Sequence, residues 1–235
     1  MPPFEELSIL VPVDISDPNP PKLDVLDVLR PFDVVLLGYF PVPDQAEPAM
    51  IKHEYEAESA ARLADIAAGR ADLTEVLVFT HDREATVDRI AEAYDCDAVV
   101  TAGDIEDLGR ILVALRGDIN LTRIVSVVAN LLRGSDATVT FLHAVDEGTE
   151  ASDGASLLKS TVERVIEQGI EEDRIDWQLV TDGDPRETIL EIEADYDLVV
   201  LGETDPSLRE RIIGAFLSSL LDELERPALI VRDLE

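Results

Sequence analysis

Cysteine and lysine are almost absent from this chain. Cys96 is the single cysteine among 235 residues, so no intrachain disulfide framework and no thiolate metal site can form. Lysine and arginine together number 19, against 51 aspartates and glutamates, and the formal net charge is −32. Because binding to a phosphate backbone needs a basic face, this balance argues against a nucleic-acid-binding protein.

Long apolar runs are also missing. The most apolar predicted helix, residues 212–221, has about half the length that a bilayer span requires, so we expect no membrane insertion. The first six residues, MPPFEE, are acidic and contain proline, and they do not resemble a secretory leader. We therefore expect a soluble protein of the cytoplasm.

The acidity belongs to a folded chain, because an apolar fraction of 46% is too high for a disordered one. The acidic residues are spread along the whole sequence rather than gathered in a tail. This distribution is typical of a protein from a salt-adapted cell, whose cytosol screens the repulsion between like charges. The alternative interpretation is a surface for a basic partner.

The C-terminal half alternates apolar strands with amphipathic helices. Asn120 is expected to cap the first of these helices, and Asp184-Pro185 resembles a capping box that starts the third. The alternation predicts an α/β fold, a doubly wound parallel sheet with right-handed crossovers. The predicted strands are residues 110–115, 137–144, 177–180, 198–201 and 228–231.

The N-terminal half repeats this rhythm in a shorter form. Its segment ILVPVD at residues 9–14 aligns with ILVALR at residues 111–116, and residues 91–103 align with residues 192–204. The sequence thus predicts an internal duplication of about 110 residues. We expect two tandem domains, residues 1–108 and residues 109–235, of which the first is truncated to four strands. Its predicted strands are residues 7–13, 34–40, 76–79 and 98–102, and its predicted helices are residues 23–29, 48–68 and 84–93.

Three segments of the second copy carry a family signature: ILVALRG at residues 111–117, VTDGDPRETILEIEADYDLVVLG at residues 180–202, and RPALIVRD at residues 226–233. With them the chain resembles the universal stress protein (UspA-like) family, in a tandem two-domain form of haloarchaeal type. The resemblance implies the strand order 3-2-1-4-5 and a crevice where strands 1 and 4 diverge. Members that bind ATP carry an aspartate at the end of strand 1 and a glycine-x2-glycine-x9-glycine-serine/threonine loop for the phosphates.

The second copy departs from the pattern of the ATP binders. Gly202 matches the first glycine of the loop, but Asp205 replaces the second glycine, Gly214 comes one residue early, and Ala215 replaces the hydroxyl residue. A carboxylate at position 205 repels a phosphate by about 1–4 kcal/mol, and loss of the hydroxyl removes a hydrogen bond of about 1 kcal/mol. At the end of strand 1, Arg116 replaces the aspartate.

These departures lead us to expect no bound cofactor of the familiar kind. A modified crevice that binds ATP or another nucleotide stays the alternative, because Gly117 follows Arg116 and the further arginines 209 and 211 follow Gly202. The first copy keeps an aspartate, Asp14, but has no glycine loop. Asp14 is then half of a nucleotide site, or simply a turn-forming residue. The candidate binding residues are Asp14, Arg116, Gly117, Gly202, Asp205 and Gly214.

No motif for catalysis or metal binding stands out. His53, His81 and His143 have no neighbours at metal-ligand spacing, and His81 precedes Asp82, which is expected to cap a helix. Neither a Walker loop nor a nucleophile elbow is present. We therefore expect no metal site and no catalytic residues, and an enzyme on this fold would rest on analogy alone.

The favoured hypothesis is a universal stress protein that acts as a non-catalytic regulatory or interaction module in the cytosol of a salt-adapted cell. The alternative is a sensor for ATP or another nucleotide. The resemblance also implies dimerisation through the last strand, Ala228–Val231, whose apolar edge needs a cover. Because such domains occur fused to or beside permeases, the resemblance makes a membrane transporter a candidate partner.

Overall fold

The computed structural model describes residues 6–17, 24–67, 70, 72–101, 105, 107–145, 151–181, 184–203, 220–221 and 223–233. Within these ranges it contains a large sheet with helices on both faces. The strands are β1 Ser8–Asp14, β2 Asp33–Pro41, β3 Leu73–Thr80, β4 Ala98–Val100, β5 Arg110–Leu115, β6 Thr138–Ala144, β7 Ile175–Val180, β8 Leu198–Gly202 and β9 Ala228–Val231. The helices are α1 Val25–Val28, α2 Pro48–Ile66, α3 Arg83–Ala93, α4 Leu121–Arg133, α5 Ala151–Glu167 and α6 Pro185–Ile192.

The strands form one nine-stranded sheet in the order β3-β2-β1-β4-β9-β8-β5-β6-β7. Every neighbouring pair is parallel except β4 and β9. The last five strands have the predicted order 3-2-1-4-5, and the first four strands have the order 3-2-1-4. The predicted α/β class with a largely parallel sheet is confirmed. The division into domains at residues 108 and 109 stays a prediction.

The last strand corrects the predicted dimer interface. β9 pairs in parallel with β8 on one side and antiparallel with β4 on the other, with Val99 opposite Ile230. Ala228–Val231 is therefore an interior strand, and the expectation that two chains pair through it is wrong. The free edge of β4 belongs to the same chain, so pairing with it costs none of the translational freedom that a second molecule would lose.

Helix α4 joins the two halves. Ten of its 13 residues are buried, including the polar Ser126 and Asn130, as expected for an amphipathic helix whose apolar stripe faces the sheet and whose flanks are covered by neighbouring elements. On its face of the sheet, one continuous apolar cluster contains side chains from both halves, such as Leu29 and Leu131. The opposite face has two separate clusters, one under α3 and one under α6. At the end of α4, a side chain on Gly134 would collide with Pro31 of the first half.

Two of the three predicted helix caps are confirmed. The Asp184 carboxylate accepts hydrogen bonds from the N–H groups of Arg186 and Glu187, and Asp82 accepts one from Ala85 at 3.0 Å. The third prediction is wrong, since Asn120 has a left-handed backbone (φ 61°) and its side chain does not cap α4. Asparagine tolerates this conformation better than most residues, and its side-chain amide lies 3.4 Å from the carbonyl oxygen of Val231.

An aspartate before strand 4 ties down the start of strand 1 in each half. The Asp97 carboxylate accepts the N–H of Ser8 at 2.7 Å. In the second half, the Asp197 carboxylate accepts the N–H groups of Gly109 and Arg110 at 2.9 and 2.8 Å. Asp97 has an additional role, because its second oxygen forms an ion pair with Arg123 of α4. That ion pair links the first half to the central helix of the second.

Candidate functional site

The candidate site lies where the strand order of the second half reverses, at the carboxyl ends of β5 and β8. Ligands of open α/β sheets bind at such a switch point. Arg116 and Gly117 directly follow β5, and Gly202 is the last residue of β8. The structure therefore brings these three predicted residues to one edge of the sheet. Asp205 and Gly214 lie outside the described residues, as do Ala215 and the arginines at 209 and 211.

Asp14 does not belong to this edge. Because β9 and β4 run antiparallel, β1 and β5 run in opposite directions, and their carboxyl ends lie at opposite edges of the sheet. Three strands also separate them, which is about 19 Å at the usual spacing between strands. The Asp14 carboxylate accepts hydrogen bonds from the N–H and the hydroxyl of Ser16 at 2.8 and 2.7 Å. These contacts fit the turn-forming interpretation of Asp14.

A shallow cavity adjoins Arg116 on the face of the sheet that α6 covers. Its volume is about 20 Å³, enough for a water molecule. The other lining side chains are apolar, and they come from β5, β6 and the first turns of α6. They are Ala114, Leu115, Leu142, Ala144, Pro185 and Ile189.

The corresponding position in the first half is filled by an aromatic ring. Tyr39 lies opposite Asp14 in the β1–β2 register, as Ala144 would lie opposite Arg116 if the β5–β6 register continued one residue further. Tyr39 is buried, and the guanidinium of Arg83 lies 5.4 Å from its ring centre. Burial raises the pKa of the Tyr39 hydroxyl, Arg83 lowers it and Asp14 raises it further. The cavity beside Arg116 therefore exists in the second half because residue 144 is an alanine, whereas the large side chain of Tyr39 occupies the equivalent position in the first half.

Gly202 has a packing role as well as its place at the crevice. A Cβ on Gly202 would lie 2.9 Å from Cδ1 of Ile124, so the glycine allows the first turn of α4 to approach the end of β8. Arg116 is exposed, and Gly117 is half-buried with φ +153°. A Cβ at Gly117 would meet no atom within 4 Å. Position 117 therefore favours glycine because of its backbone conformation, and not because a side chain would collide with a neighbour.

A carboxylate that the sequence analysis missed lies beside Gly202. The N–H of Glu203 donates to the carbonyl of Val231 at 2.8 Å, and its side chain accepts the N–H of Asp233 at 2.9 Å. Burial raises the pKa of Glu203, and the charges of Asp233 and Asp88 raise it further. The Asp233 N–H and the guanidinium of Arg232 lower it. The end of β8 is thus acidic, in the place where the resemblance puts phosphates.

We predict that Glu203→Gln stabilises the protein at neutral pH. Because the pKa of Glu203 is raised on folding, the group's contribution to stability is fully present below its ordinary pKa and is lost as the pH rises through the raised value. The variant should therefore be more stable than the parent above that value and equal to it in acid. Chemical unfolding at several pH values measures the difference. Glu172→Gln, which removes an exposed carboxylate, is the control for total charge, and a gain independent of pH would contradict the prediction.

The described residues contain no group of three or more histidine, cysteine, aspartate or glutamate side chains that could hold a metal ion. Two histidines contact backbone carbonyls instead, with Nδ1 of His81 3.1 Å from the oxygen of Val42 and Nδ1 of His143 2.8 Å from that of Leu115. Within the same parts of the chain, none of the helices is long and apolar enough to cross a membrane.

The sequence profile of the universal stress protein family matches residues 108–232. The chain belongs to this family. The match includes the whole candidate site, from Arg116 to Gly202, and extends through β9. Among proteins of curated function, none matches this universal stress protein significantly.

Solved structures with the same fold match nearly the whole chain. A universal stress protein from Archaeoglobus fulgidus DSM 4304 has a TM-score of 0.62 and 14% identity, with 97% of each chain covered. A protein of unknown function from Pseudomonas aeruginosa PAO1 has a TM-score of 0.55 and 14% identity, over 95% of this chain and 92% of that one. The cytoplasmic domain of a prokaryotic cation chloride cotransporter has a TM-score of 0.51 and 12% identity, over 97% and 96%. At these identities the likeness shows the fold alone.

Proposed function

We propose that this universal stress protein is a non-catalytic regulatory and interaction module in the cytoplasm of a salt-adapted cell. We further propose that its crevice does not retain ATP. The observation that carries the proposal is the half-buried carboxylate of Glu203, which follows Gly202 directly and whose pKa is raised first by burial and then by Asp233 and Asp88. A phosphate chain approaching this edge would meet a carboxylate that already lies among other acidic groups.

The size of that repulsion favours the proposal. One unit charge facing another at 4 Å contributes about 1 kcal/mol in water and about 4 kcal/mol near a protein surface. A polyphosphate that meets Glu203 therefore loses about one to three orders of magnitude in affinity. The sequence adds Asp205 in place of a loop glycine. Molar salt screens part of the repulsion, but it does not supply the hydroxyl that is absent from the sequence at Ala215.

The partner we propose is a membrane transporter. One protein with the same fold over nearly the same length is the cytoplasmic domain of a prokaryotic cation chloride cotransporter. This is an analogy of fold, and a direct test is co-purification from native membranes in high salt. Specific recovery of a transporter with the tagged chain is the expected result. Recovery of no membrane protein above an untagged control would contradict it.

A ligand sensor is the second candidate, and the position of Arg116 at the switch point favours it. A guanidinium beside an apolar surface can contact an anion with an apolar body, although the cavity itself has room only for a water molecule. Calorimetry with ATP, AMP and cyclic nucleotides in molar salt tests this candidate. Saturable binding that is lost in Arg116→Glu would support it, and no detectable heat with any of them would exclude it for these ligands.

We predict that Ala144→Tyr separates the two candidates. The new ring is too large for the water-sized cavity and should lie across its mouth beside Arg116, at the position that Tyr39 has in the first half. Nucleotide binding at this edge should therefore fall at least about tenfold. Recovery of a partner should be unchanged if the module works without a ligand. The control is Ala144→Ser, which leaves the cavity open. Loss of partner recovery in Ala144→Tyr alone would favour the sensor.

We also propose that the two halves are tandem copies, in the form found in haloarchaea. The matched contacts of Asp97 and Asp197 to the start of strand 1 support this proposal, and so does the equivalent position of their helix caps, Asp82 and Asp184. The net charge of −32 supports a salt-adapted source. Measuring the free energy of unfolding against salt concentration tests that source, and a chain equally stable without salt would count against it.

A further inference from the structure

The sheet has two outer edges, β3 and β7, and they differ in chemistry. β7 has six residues, and the carboxylate of Asp176 accepts the N–H of Trp177 at 2.7 Å. That donor is therefore occupied and unavailable to another strand. The side chains of Asp176, Trp177 and Gln178 are all exposed. Short length and an inserted polar side chain are ways in which proteins block the addition of a strand.

β3 has none of this protection. It has eight residues, and Val76, Leu77, Val78 and Phe79 form a run of apolar side chains that are all half-buried. No side chain of the described residues hydrogen-bonds to the backbone of this run. The Phe79 ring stacks on Phe40 with 5.2 Å between ring centres. A long, apolar edge strand with free backbone groups is a template for strand addition.

An aromatic cluster supports one end of this edge. Phe40 stacks on Tyr55 of α2 at 5.4 Å as well as on Phe79. All three rings are only half-buried, so they offer an apolar contact surface whose geometry is fixed by stacking. Aromatic side chains of this kind are enriched where proteins recognise other chains.

The charge around β3 indicates which kind of chain fits. Glu75 in β3, Asp44 after β2 and Glu84 in α3 are exposed, and none has an ion-pair partner among the described residues. The nearby cations are engaged, since Arg70 pairs with Asp72 and Arg83 lies over the ring of Tyr39. The edge is therefore apolar along the strand and negative at its margins, which disfavours a second copy of this acidic chain.

We propose that the β3 edge binds an extended, positively charged segment of a partner protein, which adds to the sheet as a further strand. Backbone hydrogen bonds would provide most of the affinity. On one face of the added strand, apolar side chains would contact Val76 and Val78. On the other face, lysine or arginine would lie beside Glu75 and against the Phe79 ring. The inference rests on the proposed role as an interaction module and names the chemistry of the partner.

The test uses the full-length chain and a synthetic ten-residue peptide of alternating lysine and valine. The same peptide with N-methyl groups on alternate amides has the same charge but cannot form a sheet ladder. We expect the parent peptide to protect from hydrogen exchange those amides of residues 76–79 that point away from β2, and to bind at least about tenfold more tightly than the methylated one. Glu75→Lys should weaken binding at least about threefold, whereas the control Glu171→Lys, before β7, should leave it unchanged.

Equal binding of both peptides would overturn the inference, because charge alone would then explain the affinity. Protection of β7 instead of β3, or chains cross-linked to each other through β3, would overturn it as well. Failure of the proposed function gives a different result, because no native partner then co-purifies with the parent chain. If a native partner co-purifies equally with the parent chain and with Glu75→Lys, the interaction role stands and the assignment to β3 is wrong.

Discussion

Replacing Leu229 with alanine is expected to lower the free energy of unfolding by about 2–5 kcal/mol. Leu229 is completely buried in β9, where it lies opposite Val100 of β4 and Val200 of β8. It also belongs to the apolar cluster that both halves share. The truncation therefore opens a cavity at the junction of the two halves, and both should lose stability together.

Two probes measure this effect. Fluorescence of the single tryptophan, Trp177 in β7, reports the second half, and hydrogen exchange of β2 amides reports the first half. We expect one unfolding transition with the same shift for both probes. Ile166→Ala is the control, since that side chain is 37% exposed and its loss should have a small effect. A first half that keeps its original stability in Leu229→Ala would show that β9 does not couple the two.

Asp97→Ala is expected to destabilise the protein by about 2–4 kcal/mol. The substitution leaves the N–H of Ser8 without its carboxylate acceptor and Arg123 without its partner. Removal of one member of a buried pair costs about 3–5 kcal/mol, and partial exposure of Arg123 reduces that figure. Urea unfolding at constant salt measures the change.

A double-mutant cycle separates the two contributions. Asp97→Asn keeps an oxygen that can accept the Ser8 N–H but loses the charge, and Arg123→Met removes the other partner. A coupling energy between these two changes measures the ion pair alone. Asp197→Asn is the matched control, because its carboxylate contacts the N–H groups of Gly109 and Arg110 and no ion pair with it is found among the described residues. Equal effects of the two asparagine variants would mean that the Arg123 contact adds nothing.

The sequence predicted the strands well, because parallel strands that are buried on both faces read as nearly continuous apolar runs. The segment at β8 and the one at β5 are such runs. The pairing of β9 with β4 had no local signal, since it joins residues about 130 positions apart and depends on which free edge lies nearest. Asn120 shows a second limit. The same residue type favours both an N-cap and a left-handed turn, and the local sequence does not decide between them.

At the candidate site, the strand ends follow from the apolar pattern, so the sequence could place Arg116, Gly117 and Gly202 at the ends of β5 and β8, and their role in binding stays a prediction. Asp14 came from the alignment as the first-half counterpart of Arg116, and an alignment carries no information on strand direction across β4 and β9. Glu203 was missed because its raised pKa comes first from burial and then from Asp233 and Asp88, and neither the burial nor these distant neighbours can be read from the local sequence. A sequence alignment of the halves can show that they differ at Tyr39 and Ala144. Only the strand register shows that both residues lie beside the end of strand 1, opposite Asp14 and Arg116.

The antiparallel contact between β4 and β9 has a consequence for how this chain can assemble with others. It turns the two halves head to tail, so that the carboxyl ends of β1 and β2 lie at the opposite edge of the sheet from those of β5 and β8. A molecule held at the ends of β5 and β8 would therefore leave the strand ends of the first half uncovered.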